Sequence, residues 1–211
     1  MRKHFAVLAI CTGSLLAVPS AFADDIDALM ERLSDLETLS TEFRQLTLDA
    51  AETSVQTITG TLQLVRPDTL YWYSNAPYEQ AIYVNDGMIW IYDIDLEQAV
   101  RQPLEEQWEQ SPALVLTGNR DQISARYAVT QTADRPPFAT FVLEPLGVSS
   151  SIDSLALAFD GNKPTSIRLV DGFNQTTLVN FDNVVMNEPI DASVFQFNPP
   201  AGVDVIEQLG P

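Results

Sequence analysis

The sequence predicts a mainly β protein with helices, an α+β chain in which one amphipathic helix precedes an antiparallel sheet that curls or closes on itself. Short runs rich in Val, Ile, Thr, Tyr, Phe and Trp recur along most of the chain. Turn-forming groups such as Asn85-Asp86-Gly87, Pro136-Pro137, Asp160-Gly161-Asn162 and Asp171-Gly172 separate them, and no crossover helices alternate with them. Successive strands must therefore pair as hairpins. A sheet of many such strands protects its edges by curling, closing or being covered.

Residues 1–23 are expected to be removed before folding. Arg2, Lys3 and His4 make a positive start, 5–18 is apolar, and Ala21-Phe22-Ala23 before Asp24-Asp25 is a small-residue cleavage pattern. This is the layout of a secretory signal peptide, and its apolar run falls short of the ~20 residues of a membrane span. A lipoprotein signal ending at Cys11 is disfavoured by the bulky Ile10 before it and by the truncated apolar segment it would leave. Cleavage after Ala23 leaves 188 residues, 24–211, read as one domain with chain enough to bury a core or enclose a cavity. It removes the only Cys and the only His, and leaves nine basic against 29 acidic groups, a formal charge of −20 with Lys163 the sole lysine. The product is expected to be soluble in the exported compartment and to need no disulfide.

That charge excludes nucleic acid as a partner, because phosphate backbones are held by clustered Lys and Arg. It also makes loose adhesion to anionic lipid surfaces unfavourable. Enzymatic chemistry has little material: no imidazole base, no thiol nucleophile and no metal site of the Cys/His kind remain. Lys163 sits in a solvated turn. Asp93, Asp95 and Glu97 alternate, so a strand would place them on one face, where paired acids could serve glycoside hydrolysis or hold a divalent cation. Solvated carboxylates at a strand end are the commoner arrangement. No enzymatic activity, cofactor or metal is expected.

In chain order, Ile26, Leu29, Leu33, Leu36, Phe43 and Leu46 recur at helical spacing after Asp24-Asp25, whose side chains suit the capping of exposed amides. Strands are predicted over 57–65, 70–73, 81–84 and 88–92, the last pair joined by Asn85-Asp86-Gly87 as a hairpin turn. A second helical piece over 104–117 contains Trp108, Leu114, Val115 and Leu116, and Pro112 should break or kink it. Strands resume over 124–131, 138–143, 152–159, 166–170 and 176–186. Leu155, Leu157 and Phe159 alternate with alanines, as in a strand with one face on an apolar interior.

The stretch 62–98 gathers an apolar and aromatic surface around one arginine, Arg66. Tyr71, Trp72, Tyr73, Tyr83, Trp90 and Tyr92 cannot all share one interior, since sequence neighbours on a strand point to opposite faces. Some must line a second environment: a cavity, a helix-covered groove or solvent.

Taken in order, Gly60-Thr-Leu-Gln-Leu-Val-Arg66-Pro67, Tyr71-Trp72, Pro77, Asn85-Asp86-Gly87, Trp90, Tyr92-Asp93, Leu96-Glu97-Gln98, Ser111-Pro112-Ala113 and Phe195-Gln-Phe-Asn-Pro-Pro-Ala-Gly-Val203 resemble the LolA family of periplasmic outer-membrane lipoprotein carriers of Gram-negative bacteria. The resemblance extends over essentially all of 24–211. It implies an unclosed antiparallel β-barrel covered by a helical lid, enclosing an apolar cavity for the acyl chains of a lipoprotein. It implies a periplasmic monomer that takes cargo from the LolCDE transporter of the inner membrane and passes it to LolB at the outer membrane, with only transient contact with membrane proteins. The family's lid-bound arginine matches Arg66, with lid contacts at Leu33 on the first helix and at Leu116 and Thr117 on the second. Leu62, Leu64, Leu70, Trp72, Trp90, Tyr92, Leu114, Val115, Phe141 and Leu157 are the expected cavity lining, although Leu70 stands where some members have phenylalanine.

The residues supply a physical reason for such an arrangement. Each acyl methylene exposed to water costs ~0.8 kcal/mol, so lipid-modified cargo needs shelter in transit. A guanidinium at the rim of an apolar cavity needs partners, and carbonyls at a helix end can provide them while the lid is shut. The receptor LolB would need its own lipid-anchoring cysteine directly after the signal, and Ala23-Asp24 offers none. The alternative of another class is a glycan-active enzyme or binding module built on Asp93, Asp95 and Glu97 with stacked aromatics.

Overall fold

The computed structural model describes residues 21–104, 112–147 and 150–208. Helix α1 (Ala21–Ser34) leads into strands β1 (Thr38–Leu48), β2 (Ser54–Val65), β3 (Thr69–Ser74), β4 (Gln80–Asn85), β5 (Met88–Asp93) and β6 (Gln98–Pro103). A 3-10 turn (Pro112–Leu116) and a short helix α2 (Arg120–Ser124) then precede β7 (Tyr127–Arg135), β8 (Phe138–Pro145), β9 (Ile152–Asp160), β10 (Lys163–Asp171) and β11 (Thr176–Met186). A second 3-10 turn (Ala192–Phe195) and β12 (Asp204–Glu207) end the described chain. The strands form one sheet in the order β12-β6-β5-β4-β3-β2-β1-β11-β10-β9-β8-β7. Every pairing is antiparallel except that of β12 with β6. The end strands β12 and β7 do not pair, so the barrel is unclosed.

The hairpins form for the reasons their turn residues suggest. Asp86 and Gly87 sit at φ 51° and 72°, the left-handed pair that lets two strands with native twist meet across Asn85 and Met88. One face of the curled sheet is lined by alternate residues of each strand, among them Leu62, Leu64, Leu70, Val84 and Ile89 on one limb and Phe141, Leu155, Leu157 and Phe159 on the other. Helix α1 packs against edge strand β7, and Ile26, Leu29 and Leu33, with Leu36 just beyond its end, join the same apolar cluster. A fully buried leucine contributes about 1.5–3 kcal/mol relative to exposure, so this face rather than intrinsic propensity holds the helix in place.

Four expectations need correcting. Phe43 and Leu46 lie in β1, not on the first helix. The spacing of seven from Leu36 to Phe43 fits two helical turns, yet from Thr38 the threonines favour extended backbone and burial alternates through Leu39, Thr41 and Phe43. Asp25 lies inside α1 and not before its start, and its carboxylate accepts the Gln131 amide of β7 at 3.0 Å, beside an irregularity in the β7–β8 ladder. Within the second helical piece, Pro112–Leu116 is a 3-10 turn, where the missing donor of Pro112 suits a first position, and 105–111, with Trp108, lie outside the described residues. Finally, 120–124 is helical where a strand was expected to begin by 124. Asn119 accepts the Gln122 amide while the Gln122 side chain accepts the Asn119 amide, a reciprocal cap that starts a helix.

Gly60 shows how closely the layers approach. It lies directly opposite Phe43, whose ring stacks on Trp72 at 4.0 Å between centroids. A Cβ at this position would stand 1.9 Å from the Tyr73 carbonyl oxygen and 2.5 Å from Phe43 Cζ. Gly60→Ala should therefore cost about 2–3 kcal/mol through overpacking and lower the thermal midpoint by roughly 4–12 °C. Thermal unfolding followed by circular dichroism checks this, and an unchanged midpoint would mean that the ring and backbone yield freely.

Candidate functional site

The interior of the sheet is not filled by the sheet alone. The 3-10 turn runs into it and buries Ala113, Leu114, Val115 and Leu116 completely. Short turn segments seldom carry four consecutive buried apolar side chains, because their own polar backbone must be satisfied at the same depth. Here Leu114 O accepts both the Thr117 amide and the Thr117 hydroxyl, at 3.0 and 2.8 Å, and the Gly118 amide at 3.2 Å. These bonds satisfy the Leu114 carbonyl within the segment, and the side chains form a plug.

One end of the plugged interior is open. Between the turns that follow β3, β5 and β10 lies a cavity of about 820 Å³. Its inner wall includes Ile58, Trp72, Ile82 and Leu169, and Pro112 places the start of the plug at this mouth. Trp72 is oriented there by its indole N–H, which donates to Ser74 Oγ at 3.2 Å.

The opposite end is shut by Arg66, in the turn between β2 and β3. Its Nη1 donates to Leu33 O at 3.1 Å, in the last turn of α1, and its Nη2 donates to Gly118 O at 2.8 Å, just past the plug. Burial pulls the guanidinium below its ordinary pKa range, and the nearby Asp68 carboxylate partly restores it. One half-buried cation thus joins the helix to the plug using main-chain acceptors only. Of the residues expected around it, Leu33 supplies a carbonyl, whereas Leu116 and Thr117 supply no hydrogen bond to it and Gly118 does. Further ties hold the same layer: Arg32 donates to Gly161 O at 3.1 Å, Asn162 to Asp35 at 3.0 Å, and Arg120 pairs with Asp27 at 2.8 Å across the two helices.

Eight of the ten residues expected to line a cavity, Leu62, Leu64, Leu70, Trp72, Leu114, Val115, Phe141 and Leu157, are buried in the apolar cluster around the plug. Trp90 and Tyr92 are not. Ile89 and Ile91 take the inward positions of β5, so the intervening Trp90 and the following Tyr92 face outward. Register places Tyr71, Tyr83, Trp90 and Arg101 side by side across β3–β6 on that outer face. Phe197 covers it, with ring centroids 5.0, 5.2 and 5.2 Å from Tyr83, Trp90 and Tyr92. Arg101 lies over the Trp90 ring at 5.6 Å and pairs with Glu207 of β12 at 3.3 Å. The second aromatic environment is thus a surface strapped down by the chain's own C-terminal segment.

Asp93, Asp95 and Glu97 do not share a strand face. Asp93 ends β5, its carboxylate accepts the Leu96 amide at 3.0 Å, and Glu97 turns the chain at φ 49° before β6. Among the described residues no group of three His, Cys, Asp or Glu could hold a metal ion. Sequence reasoning missed Gly118, because a carbonyl acceptor leaves no mark in residue type. It missed the Phe197 and Arg101 strap because its partners lie about a hundred residues apart.

The fold and site define an unclosed β-barrel whose apolar interior is stoppered by its own polypeptide, the architecture of a protein that binds apolar ligands. The sequence pattern of the family described as outer membrane lipoprotein carrier protein LolA matches residues 34–198. The chain is 36% identical to the outer-membrane lipoprotein carrier protein of Alcanivorax borkumensis, covering 99% of each. It is 39% identical to that of Pseudomonas aeruginosa, covering 96% of each. Solved structures share the fold at low identity. An uncharacterized conserved protein from Thermus thermophilus aligns at TM-score 0.55 and 9% identity, covering 88% of this chain and 99% of that one. A LolA superfamily protein from Nitrosomonas europaea aligns at TM-score 0.50 and 9% identity, covering 82% and 98%. The chain belongs to the LolA family of outer-membrane lipoprotein carrier proteins.

The strap makes a titration prediction. Burial first, and the neighbouring tyrosine hydroxyls second, push the Tyr83 phenol up to about 12. Its contribution to stability is therefore present below the unfolded value near 10 and lost as pH rises towards about 12. Phe197→Ala should uncover the ring and bring its titration down towards 10, read from the ultraviolet tyrosinate band. An unchanged profile would show that Phe197 does not shield it.

Proposed function

We propose that this chain is a periplasmic carrier, not a catalyst, that shelters the acyl chains of lipoproteins between the inner-membrane LolCDE transporter and the outer-membrane receptor LolB. The observation that carries the reading is the plug: four fully buried apolar side chains on one short turn, held at its far end by Arg66 through main-chain carbonyls. Acyl chains compete with such a plug on equal terms, because both offer apolar surface and neither needs hydrogen bonds from the wall. The named carriers of Alcanivorax borkumensis and Pseudomonas aeruginosa, matched along nearly their whole length, support the same cargo class.

In the empty form the plug fills the interior, and Arg66 ties Gly118 to Leu33. Cargo enters as the plug withdraws, and the two charge-assisted bonds separate. Discharge allows them to form again, which offsets part of the apolar gain of holding the cargo. A ligand shifts such an equilibrium only by its differential affinity for the two forms, so the strength of these bonds sets how readily cargo is surrendered. The hydrogen-bond acceptors of Arg66 in this scheme are main-chain carbonyls, with the Asp68 carboxylate as a nearby Coulombic partner.

Native mass spectrometry of the protein taken from its own periplasm should find acylated polypeptide bound, and protein recovered empty throughout would argue against the reading. Arg66→Leu removes bonds worth about 1.5–3 kcal/mol from the closed form alone, so it should load normally yet deliver about ten- to hundredfold less. Arg66→Lys should be intermediate, keeping the charge without the planar fork of donors. A two-step transfer with purified partners scores loading and delivery separately; failure at loading with normal delivery would contradict the release role.

A further inference from the structure

Resting on the carrier reading, we propose that the rim of the open mouth recognises the polypeptide tether between the acylated terminus of the cargo and its folded body. The rim favours tethers bearing lysine or arginine over tethers bearing aspartate or glutamate.

The route of the tether follows from the two ends of the interior. One end is closed by Arg66 on Leu33 and Gly118, and the other opens as the 820 Å³ cavity. Acyl chains lodged inside leave their attached peptide only the open end. Three turns meet there, and each presents an exposed apolar side chain: Tyr78, Leu96 and Phe173, the last 88% exposed. These tips are held out by the backbone. The Asp93 carboxylate accepts the Leu96 amide, the Asp171 carboxylate accepts the Phe173 and Gln175 amides at 2.9 Å each, and Asn174 turns the chain at φ 60°. Exposed apolar groups fixed around one opening form a contact surface and not a scatter of surface residues.

Charge identifies what that surface contacts. Glu79, Asp93, Asp95 and Asp171 line the same cavity, and among the described residues no lysine or arginine does. The carboxylates of Asp93 and Asp171 organise the turns by accepting amide hydrogens, while Glu79 accepts the Tyr73 hydroxyl at 2.7 Å. An extended peptide leaving the mouth passes apolar tips flanked by negative charge. Lysine and arginine suit both, since their alkyl stems cover apolar surface while the cationic head reaches the carboxylates. Acidic tethers meet like charge at the same distance. Each exposed pairing is weak and screened by salt, so discrimination accumulates over several residues and fades at high ionic strength.

The probes are two lipopeptides, a tripalmitoyl-cysteinyl-serine followed by four lysines or by four glutamates, each competing with a fluorescent fatty acid for the full-length exported protein. At low salt the lysine probe should compete about tenfold more strongly, and the ratio should shrink in high salt. Glu79→Gln with Asp95→Asn should bring the ratio close to one. Removing two charges at the other end of the sheet, by Asp160→Asn with Glu188→Gln, should leave most of it in place. Equal competition in the unaltered protein overturns the tether inference, and so does an equal loss of the ratio in both double variants, which reports overall charge only. If the fluorescent fatty acid itself fails to bind, the carrier reading fails and takes this inference with it. If it binds but the probes are not distinguished, only the tether inference falls.

Discussion

Arg66 is the cation that ties the first helix to the plug, and the nature of its partners explains how. A guanidinium taken half out of water loses solvation that only well-placed acceptors restore. Its acceptors here are the carbonyl of Leu33, which also accepts the Leu36 amide at 3.2 Å, and that of Gly118, just past the end of a 3-10 turn. The guanidinium finds both acceptors at once, and in doing so it links α1, the plug and the β2–β3 turn. A carboxylate in their place would add Coulombic attraction and sensitivity to salt and acid. Carbonyl partners give a bond of moderate strength that separates without leaving a second unpaired charge behind.

The same economy governs the sheet edges. An unclosed barrel exposes two strands to stray pairing. On one side α1 lies against β7 and Asp25 takes up the Gln131 amide. On the other, β12 adds in parallel to β6, with Arg101 and Glu207 paired across them. The barrel can therefore stay open along one seam, with its edges covered instead of paired to each other. Closure by hydrogen bonding between β12 and β7 would give a sealed core with no room for exchange.

Much of this was legible in sequence, and the misses have common causes. Hairpins announced by Asn85-Asp86-Gly87 or Asp160-Gly161-Asn162 were readable because their turn chemistry is local. The strand β1 was taken for helix because Leu36 and Phe43 satisfy a helical spacing, and only the pairing of β1 with both β2 and β11 decides the matter. Strand β6, Gln-Ala-Val-Arg-Gln-Pro, carries little apolar signal because its outer face is covered by the C-terminal strap rather than by core. Tyr71 and Trp72 were correctly placed on opposite faces by alternation alone. Which face belonged to the interior was not readable, and Trp90 and Tyr92 went to the wrong side, because parity fixes relative orientation and only register fixes the absolute one.

The plug also sets the energetic scale on which any apolar ligand must act. Leu114, Val115 and Leu116, each fully buried, contribute on the order of 1.5–3 kcal/mol apiece relative to exposure. A ligand that displaces them gains its own apolar burial but exposes theirs, so net affinity is a difference between two similar quantities. Adding the two Arg66 bonds to the closed side brings that difference nearer to zero. An interior packed by rigid strand residues alone would bind nothing, and an empty one would collapse or bind too tightly to release. Under the carrier proposal, a detachable segment matched in chemistry to the ligand and tied by Arg66 would keep both forms within about a few kcal/mol of each other.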